Sequence, residues 1–118
     1  MIDEKRQGQL ERALAETGGT HDLGDIMKGI SSGEFQSFSR GETWAVTSII
    51  ETPKKRICEV FLVVGDMSDA IQLHDEVEMF ARARGCKMLR TIARSGWLKW
   101  AKPRGWTTKH SVYLKDLT

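Results

Sequence analysis

The sequence predicts an α/β fold: a mixed, mostly antiparallel central sheet flanked by helices, in a single domain spanning residues 1–118. Three observations predict it. Residues 34–64 hold three runs rich in β-branched and aromatic residues, separated by short polar turns, as a hairpin or meander requires. Residues 59–93 hold an apolar run, a long amphipathic stretch and a second apolar run, the pattern of a strand–helix–strand crossover. Two amphipathic stretches precede these runs, and a short Trp-rich stretch follows them.

In chain order, Ile2 to Thr17 reads as a helix, because Leu10, Ala13 and Leu14 recur at i, i+3 and i+4 and charged residues fill the other faces. Gly18-Gly19 ends it. Thr20 or Asp22 caps a second helix striped by Leu23, Ile26, Met27 and Ile30, which ends at Gly33. Glu34 to Phe38 is a short strand, followed by turn residues Ser39 to Glu42. Thr43 to Glu51 is a strand with Trp44, Val46, Ser48 and Ile50 on one face, closed by Thr52-Pro53-Lys54-Lys55. Arg56 to Val64 is the central strand, and its unbroken VFLVV run suits cover on both faces.

Gly65 breaks that strand. Ser68 or Asp69 is expected to cap the helix that follows, which runs to about Arg84 with Ala70, Leu73, Val77, Phe80 and Ala81 inward and a Glu78–Arg82 pair outward. Gly85 ends it. Lys87 to Ala93 is a short strand and Gly96 to Ala101 a short helix stopped by Pro103. Thr107 to Leu117 is expected as a closing strand, with Val112 and Leu114 apolar.

Hydrophobic residues make up 40% of the chain, enough for a modest core, and no apolar run approaches bilayer length. The charged N-terminus lacks the apolar centre of a signal peptide, so a cytoplasmic location is expected. Cys58 and Cys86 have neither a CxxC partner nor a His cluster, so they read as buried free thiols, and no metal is expected. Charge is uneven. Residues 1–78 carry eight basic and fifteen acidic side chains, and residues 79–118 carry ten basic and one acidic. Such a basic block attracts an anion, a nucleic acid or an acidic partner, unless the acidic part of the same chain packs beside it and neutralises it.

EVFLVVGD over 59–66, DAIQLHDEVEMFARARGCKMLRTIA over 69–93, ARSGWLKWAKPRGW over 93–106 and VYLKDL over 112–117 carry a resemblance to the GCN5-related N-acetyltransferase (GNAT) family. They resemble its fourth strand, its third helix and fifth strand, its segment ending in Gly-Phe (here Gly105-Trp106), and its closing strand. Gly18-Gly19-Thr20-His21, Asp25-Ile26, Ile30, Gly33, Gln36, Arg94, Gly96 and Trp97 further resemble small bacteriophage-encoded GNAT-like proteins.

The resemblance implies acetyl-CoA as cofactor, held at Val63, Val64, Gly65, Ser68, Asp69 and, by position, Arg94. It also implies Glu59 as a strand carboxylate able to act as general base, beside the alternative of a strand carboxylate facing solvent. The connection Gly65-Asp66-Met67-Ser68-Asp69 departs from the family's Gly-rich loop: it has one glycine, no Arg or Gln ahead of it, and two carboxylates where a pyrophosphate is expected. Ala101 stands where the family's general-acid Tyr is expected. Tyr113 is the remaining phenol, in a segment better suited to packing.

His21, His74 and His110 have no metal-ligand spacing and read as solvated or hydrogen-bonded residues. Trp97, Trp100 and Trp106 lie among Arg94, Lys99, Lys102 and Arg104, a mixture that can stack on nucleotides or, with Trp97 and Trp100 at i, i+3, anchor the short helix to the sheet.

Three functions are therefore in view. The expected one is a phage-derived GNAT-like protein without catalysis, a virion-assembly or protein-binding component located in the host cytoplasm or virion. Its expected partner is another protein or a second copy of the chain. The alternative is an N-acetyltransferase moving acetyl from acetyl-CoA to an amine. The third is a nucleic-acid-binding module using the basic 79–115 segment. None involves a membrane.

Overall fold

The computed structural model describes residues 4–16, 19–93 and 96–118. The elements run α1 (Glu4–Glu16), α2 (Leu23–Ser32), β1 (Phe35–Arg40), β2 (Thr43–Glu51), β3 (Arg56–Val64), α3 (Met67–Ala83), β4 (Met88–Thr91) and α4 (Gly96–Ala101), with a 3-10 turn over Lys102–Arg104. The expected extension of the first helix to Ile2 and Thr17 and its stop at Gly18 lie outside the described residues. The sheet order is β1-β2-β3-β4. β1, β2 and β3 form an antiparallel meander and β4 joins β3 in parallel, so the α/β class and the crossover are as the residue pattern predicts. Among the described residues, no helix is long and apolar enough to cross a membrane.

Local chemistry explains the boundaries. Asp22 caps α2, in a reciprocal box in which its side chain accepts from the Asp25 N–H and the Asp25 carboxylate accepts from the Asp22 N–H. These bonds hold the Asp25 carboxyl below its usual range, led by the one from the Asp22 backbone. α3 ends where Gly85 N–H reaches the Arg82 carbonyl and Cys86 N–H the Ala81 carbonyl, with Gly85 in the left-handed region. Glu78 and Arg82 pair at 3.3 Å along α3.

An irregularity in β3 organises the core. Val46 opposes Leu62 and Thr47 opposes Val60, so Phe61 is an extra, unopposed residue. Strict alternation would place Cys58, Val60, Leu62 and Val64 on one face. The bulge divides them. Leu62 and Val64 pack with Leu10, Leu14, Ile26, Phe35, Trp44 and Val46 under α1 and α2. Cys58 and Val60 pack with Val77, Ala81 and Cys86 under α3. Both cysteines are buried free thiols, as expected. Burial pushes the Cys58 thiol up to about 11, with Cys86 nearby adding to the rise, and burial raises Cys86 as well.

The closing strand expected over Thr107–Leu117 does not form. Residues 107–118 join no ladder, and among the described residues none of their backbone groups bonds to the rest of the chain. The fourth strand is also shorter than expected, Met88–Thr91 rather than Lys87–Ala93. The tryptophans anchor α4, but to α3 rather than to the sheet. Trp106 Nε1 donates to His74 Nε2 at 2.9 Å, and the rings of Trp100 and Trp106 lie 5.8 and 6.0 Å from that of His74. Arg104 stacks over Trp100 at 4.2 Å and donates to its carbonyl.

Candidate functional site

β3 pairs with β2 along its whole length, but with β4 only from Ile57↔Met88 to Val60↔Thr91. The Thr91 hydroxyl donates to the Val60 carbonyl at 2.8 Å, and the pairing stops there, next to the bulge at Phe61. β3 continues to Val64 with no strand on that side among the described residues. Beyond that point β4 has ended and β3 has not, which leaves a wedge beside the end of β4, one wall of which is the edge of residues 61–64. Unpaired N–H and C=O groups on a strand edge are a template for an extended ligand that carries amides. Val63 and Val64, expected at the cofactor site by position, lie on this edge.

Gly65 turns the chain from the wedge into α3. Its φ is +124°, and a Cβ there would lie 2.5 Å from Thr43 Cα and 2.6 Å from the Glu42 carbonyl oxygen, so only glycine fits without displacement. The buried Thr43 hydroxyl fastens the turn to β2: it accepts from the Asp66 N–H at 2.9 Å and donates to the Asp66 carbonyl at 2.8 Å.

The cap of α3 is Asp66, not Ser68 or Asp69 as expected. Asp66 follows the Gly65 reversal in extended conformation, and its carboxylate accepts from the Ser68 N–H at 3.0 Å. The N–H groups of Asp69 and Ala70 go to the Asp66 carbonyl. The Asp69 carboxylate instead lies against the β1–β2 turn, where a Cβ on Gly41 would be 2.5 Å from its Oδ2. Three of the first N–H groups of α3 are thus bonded within the loop, and two carboxylates stand at its head. An anion at this helix end would meet both carboxylates.

The expected catalytic residues are not brought together. Glu59 does not face solvent. It crosses from β3 to β4, where Arg90 Nε donates to its Oε2 at 2.5 Å, and its side chain is 13% exposed against 49% for Arg90. Its partner leaves it an ion pair across the strands rather than an uncommitted base. Tyr113 is 90% exposed in the unpaired tail. Arg94 lies outside the described residues. Ala101 closes α4, and the adjacent Trp100 buries an indole N–H with no partner among the described residues.

His21, read from the sequence as a solvated or hydrogen-bonded residue, holds a more pointed position. It sits between α1 and α2, its ring edge-on to Phe61 at 4.9 Å and to Phe35 at 5.9 Å. Thr20 Oγ1 meets its Nδ1 at 2.8 Å, and Nε2 has no partner among the described residues. It lines an open hollow of about 470 Å³ with Thr20, Asp25, Lys28, Glu34 and Phe35. At the bulge Phe61 and Leu62 both pack toward α1 and α2, at the point where the pairing of β3 with β4 ends, and this gives His21 its aromatic neighbour. Period-two patterning does not reveal a bulge, so no sequence signal tied His21 to the strand. Among the described residues, no group of three or more His, Cys, Asp or Glu side chains could hold a metal ion.

The architecture is that of solved acetyltransferases. An acetyltransferase from Trypanosoma brucei superposes with a TM-score of 0.67 at 13% identity, covering 98% of this chain and 96% of that one. An aminoglycoside acetyltransferase from an uncultured soil metagenomic sample, in complex with trehalose, gives 0.67 at 14% identity, covering 98% and 90%. A second aminoglycoside acetyltransferase from such a sample gives 0.69 at 11% identity, again covering 98% and 90%. No family model and no curated protein matches the sequence. The chain has a GNAT-like fold, with the mixed four-stranded sheet and flanking helices that go with it.

Proposed function

We propose that the protein is an N-acyltransferase that passes an acyl group from an acyl-CoA thioester to an amine. The observation that carries this reading is the wedge between β3 and β4. It leaves the edge of residues 61–64 without a strand partner among the described residues, ends at the tight Gly65 turn, and has His21 beside its bulge. The fold shared with acetyltransferases supports it.

The donor supplies an activated thioester carbonyl. The chain's own part is to hold the amide-bearing arm of the donor along residues 61–64, where strand-like pairing is open. In the adjoining hollow Asp25 and Glu34 outweigh Lys28 and favour a cationic acceptor. An ammonium group must lose a proton before its nitrogen attacks, and His21 Nε2 is the group placed to take it. With alanine at 101, the departing thiolate draws its proton from solvent.

The bonded head of α3 supports a second reading, a GNAT-like protein that binds a protein partner without catalysis. Bacteriophage origin and a role in the virion belong to this second reading. Isothermal titration with acetyl-CoA separates the two. The acyltransferase predicts a saturable heat with micromolar-range affinity and a rate with amines that falls in His21→Ala. Absence of binding at millimolar acetyl-CoA refutes the acyltransferase.

A further inference from the structure

Two unsatisfied features of the chain match each other. One is the outer edge of β4. β4 is the last strand in the order and, among the described residues, pairs with β3 alone, so its other edge carries unpaired backbone groups, with Met88 on the strand and Ile92 just past its end exposed. The other is the tail. Residues 107–118 have strand-like composition around Val112-Tyr113-Leu114 and no glycine, proline or positive φ. They nonetheless leave Val112, Tyr113, Leu114 and Leu117 exposed, Leu114 at 79%. Except for Met27, every large hydrophobic side chain found exposed among the described residues lies between Ile71 and Leu117. The first part of the chain covers its apolar groups and the second part does not.

We propose that residues 107–118 of one copy lie as a strand along the free edge of β4 in a second copy, and reciprocally, forming a strand-exchanged dimer. A second copy is the occupant the structure favours. The start of the tail is pinned to α3 by the Trp106–His74 bond and turned by Gly105 at φ +92°. The tail does not sit on its own β4 edge, although both belong to one chain.

Exchange satisfies both features at once with a self-complementary, two-fold arrangement that closes on itself. Arg90 on β4 is already paired with Glu59, so it does not leave an uncompensated cation beneath an incoming strand.

The test uses the full chain. Sedimentation equilibrium from about 1 to 200 µM is combined with amide hydrogen exchange of residues 88–92 and 107–117 at both ends of that range. The expected result is a dimer whose formation brings protection to both segments together. Leu114→Asp, at an exposed position outside the core, is expected to give a monomer with unchanged circular dichroism and no protection in the tail. A monomer with the tail protected at every dilution means closure within one chain and overturns the proposal. So does a monomer with an unprotected tail, or a dimer in which the tail stays unprotected.

Discussion

Gly65→Ala is the sharpest perturbation of the region that joins the wedge to α3. The added methyl meets Thr43 Cα at 2.5 Å and the Glu42 carbonyl oxygen at 2.6 Å, both of them backbone atoms that no rotamer change can move. A residue other than glycine held at a φ of +124° costs about 1–3 kcal/mol. Shifting packed backbone to admit the methyl costs about another 1–3 kcal/mol. The loss, about 2–6 kcal/mol, is a large part of the roughly 5–15 kcal/mol that holds a domain of this size. Urea unfolding followed by circular dichroism reads it as a drop of about 1–3 M in midpoint, for an m-value of about 2 kcal/mol/M.

Gly96→Ala is the control. Among the described residues, apart from its chain neighbours and its own helix backbone, no atom lies within 4 Å of its added methyl, and its φ is not positive, so stability is expected to stay level or rise by up to about 1 kcal/mol. If Gly65→Ala unfolds within about 0.5 kcal/mol of the parent, the account of this turn is wrong.

Other consequences can be measured in the same way. Thr43→Val removes the hydroxyl that both accepts from and donates to Asp66, and is expected to cost about 1–3 kcal/mol in urea unfolding, with Thr43→Ser recovering part of it. A double-mutant cycle on Glu59→Gln and Arg90→Gln should return a coupling of about 1 kcal/mol, held down by the half-exposed guanidinium. In acyl-transfer assays Glu59→Gln should keep the acid limb of the kcat profile; its disappearance would make Glu59 the base.

The Cys58 thiol, raised to about 11 by burial, keeps its proton in the folded state at pH values where the unfolded thiol loses it. Its stabilising contribution is therefore complete below about pH 8.5, the unfolded thiol's range, and lost as pH climbs through the folded value. Stability that is flat from pH 8 to 11 in the parent but not in Cys58→Ala would contradict this. Trp106→Phe removes the bond to His74 and should cost about 1 kcal/mol. An unchanged unfolding midpoint would show that the bond does not hold α4.

Much of the fold was legible because its causes are local. The caps at Asp22, Gly33 and Gly85 depend on backbone groups within a few residues. The stripe Ala70, Leu73, Val77 and Ala81 depends only on helical period. The meander follows from β-branched runs divided by two short turns. The candidate site was less legible because its causes are not local. The bulge at Phe61 is a relation between β2 and β3, and a continuous apolar run conceals it. Asp66, Ser68 and Asp69 are equivalent caps by residue type, and the choice falls to Thr43, 23 residues away in sequence, which fixes Asp66 by both its backbone groups.

The sequence by itself determined the α/β class, the order of elements as far as α4, the buried thiols and the division of charge, since composition and period are sufficient causes of each. Only the tertiary structure decided the rest. It ended the β3–β4 pairing at Val60, set His21 edge-on to Phe61, and spent Glu59 on Arg90. It also left residues 107–118 without a strand to join. A strand needs a partner edge as well as a pattern, and the pattern of Val112 to Leu117 does not say which chain supplies that edge.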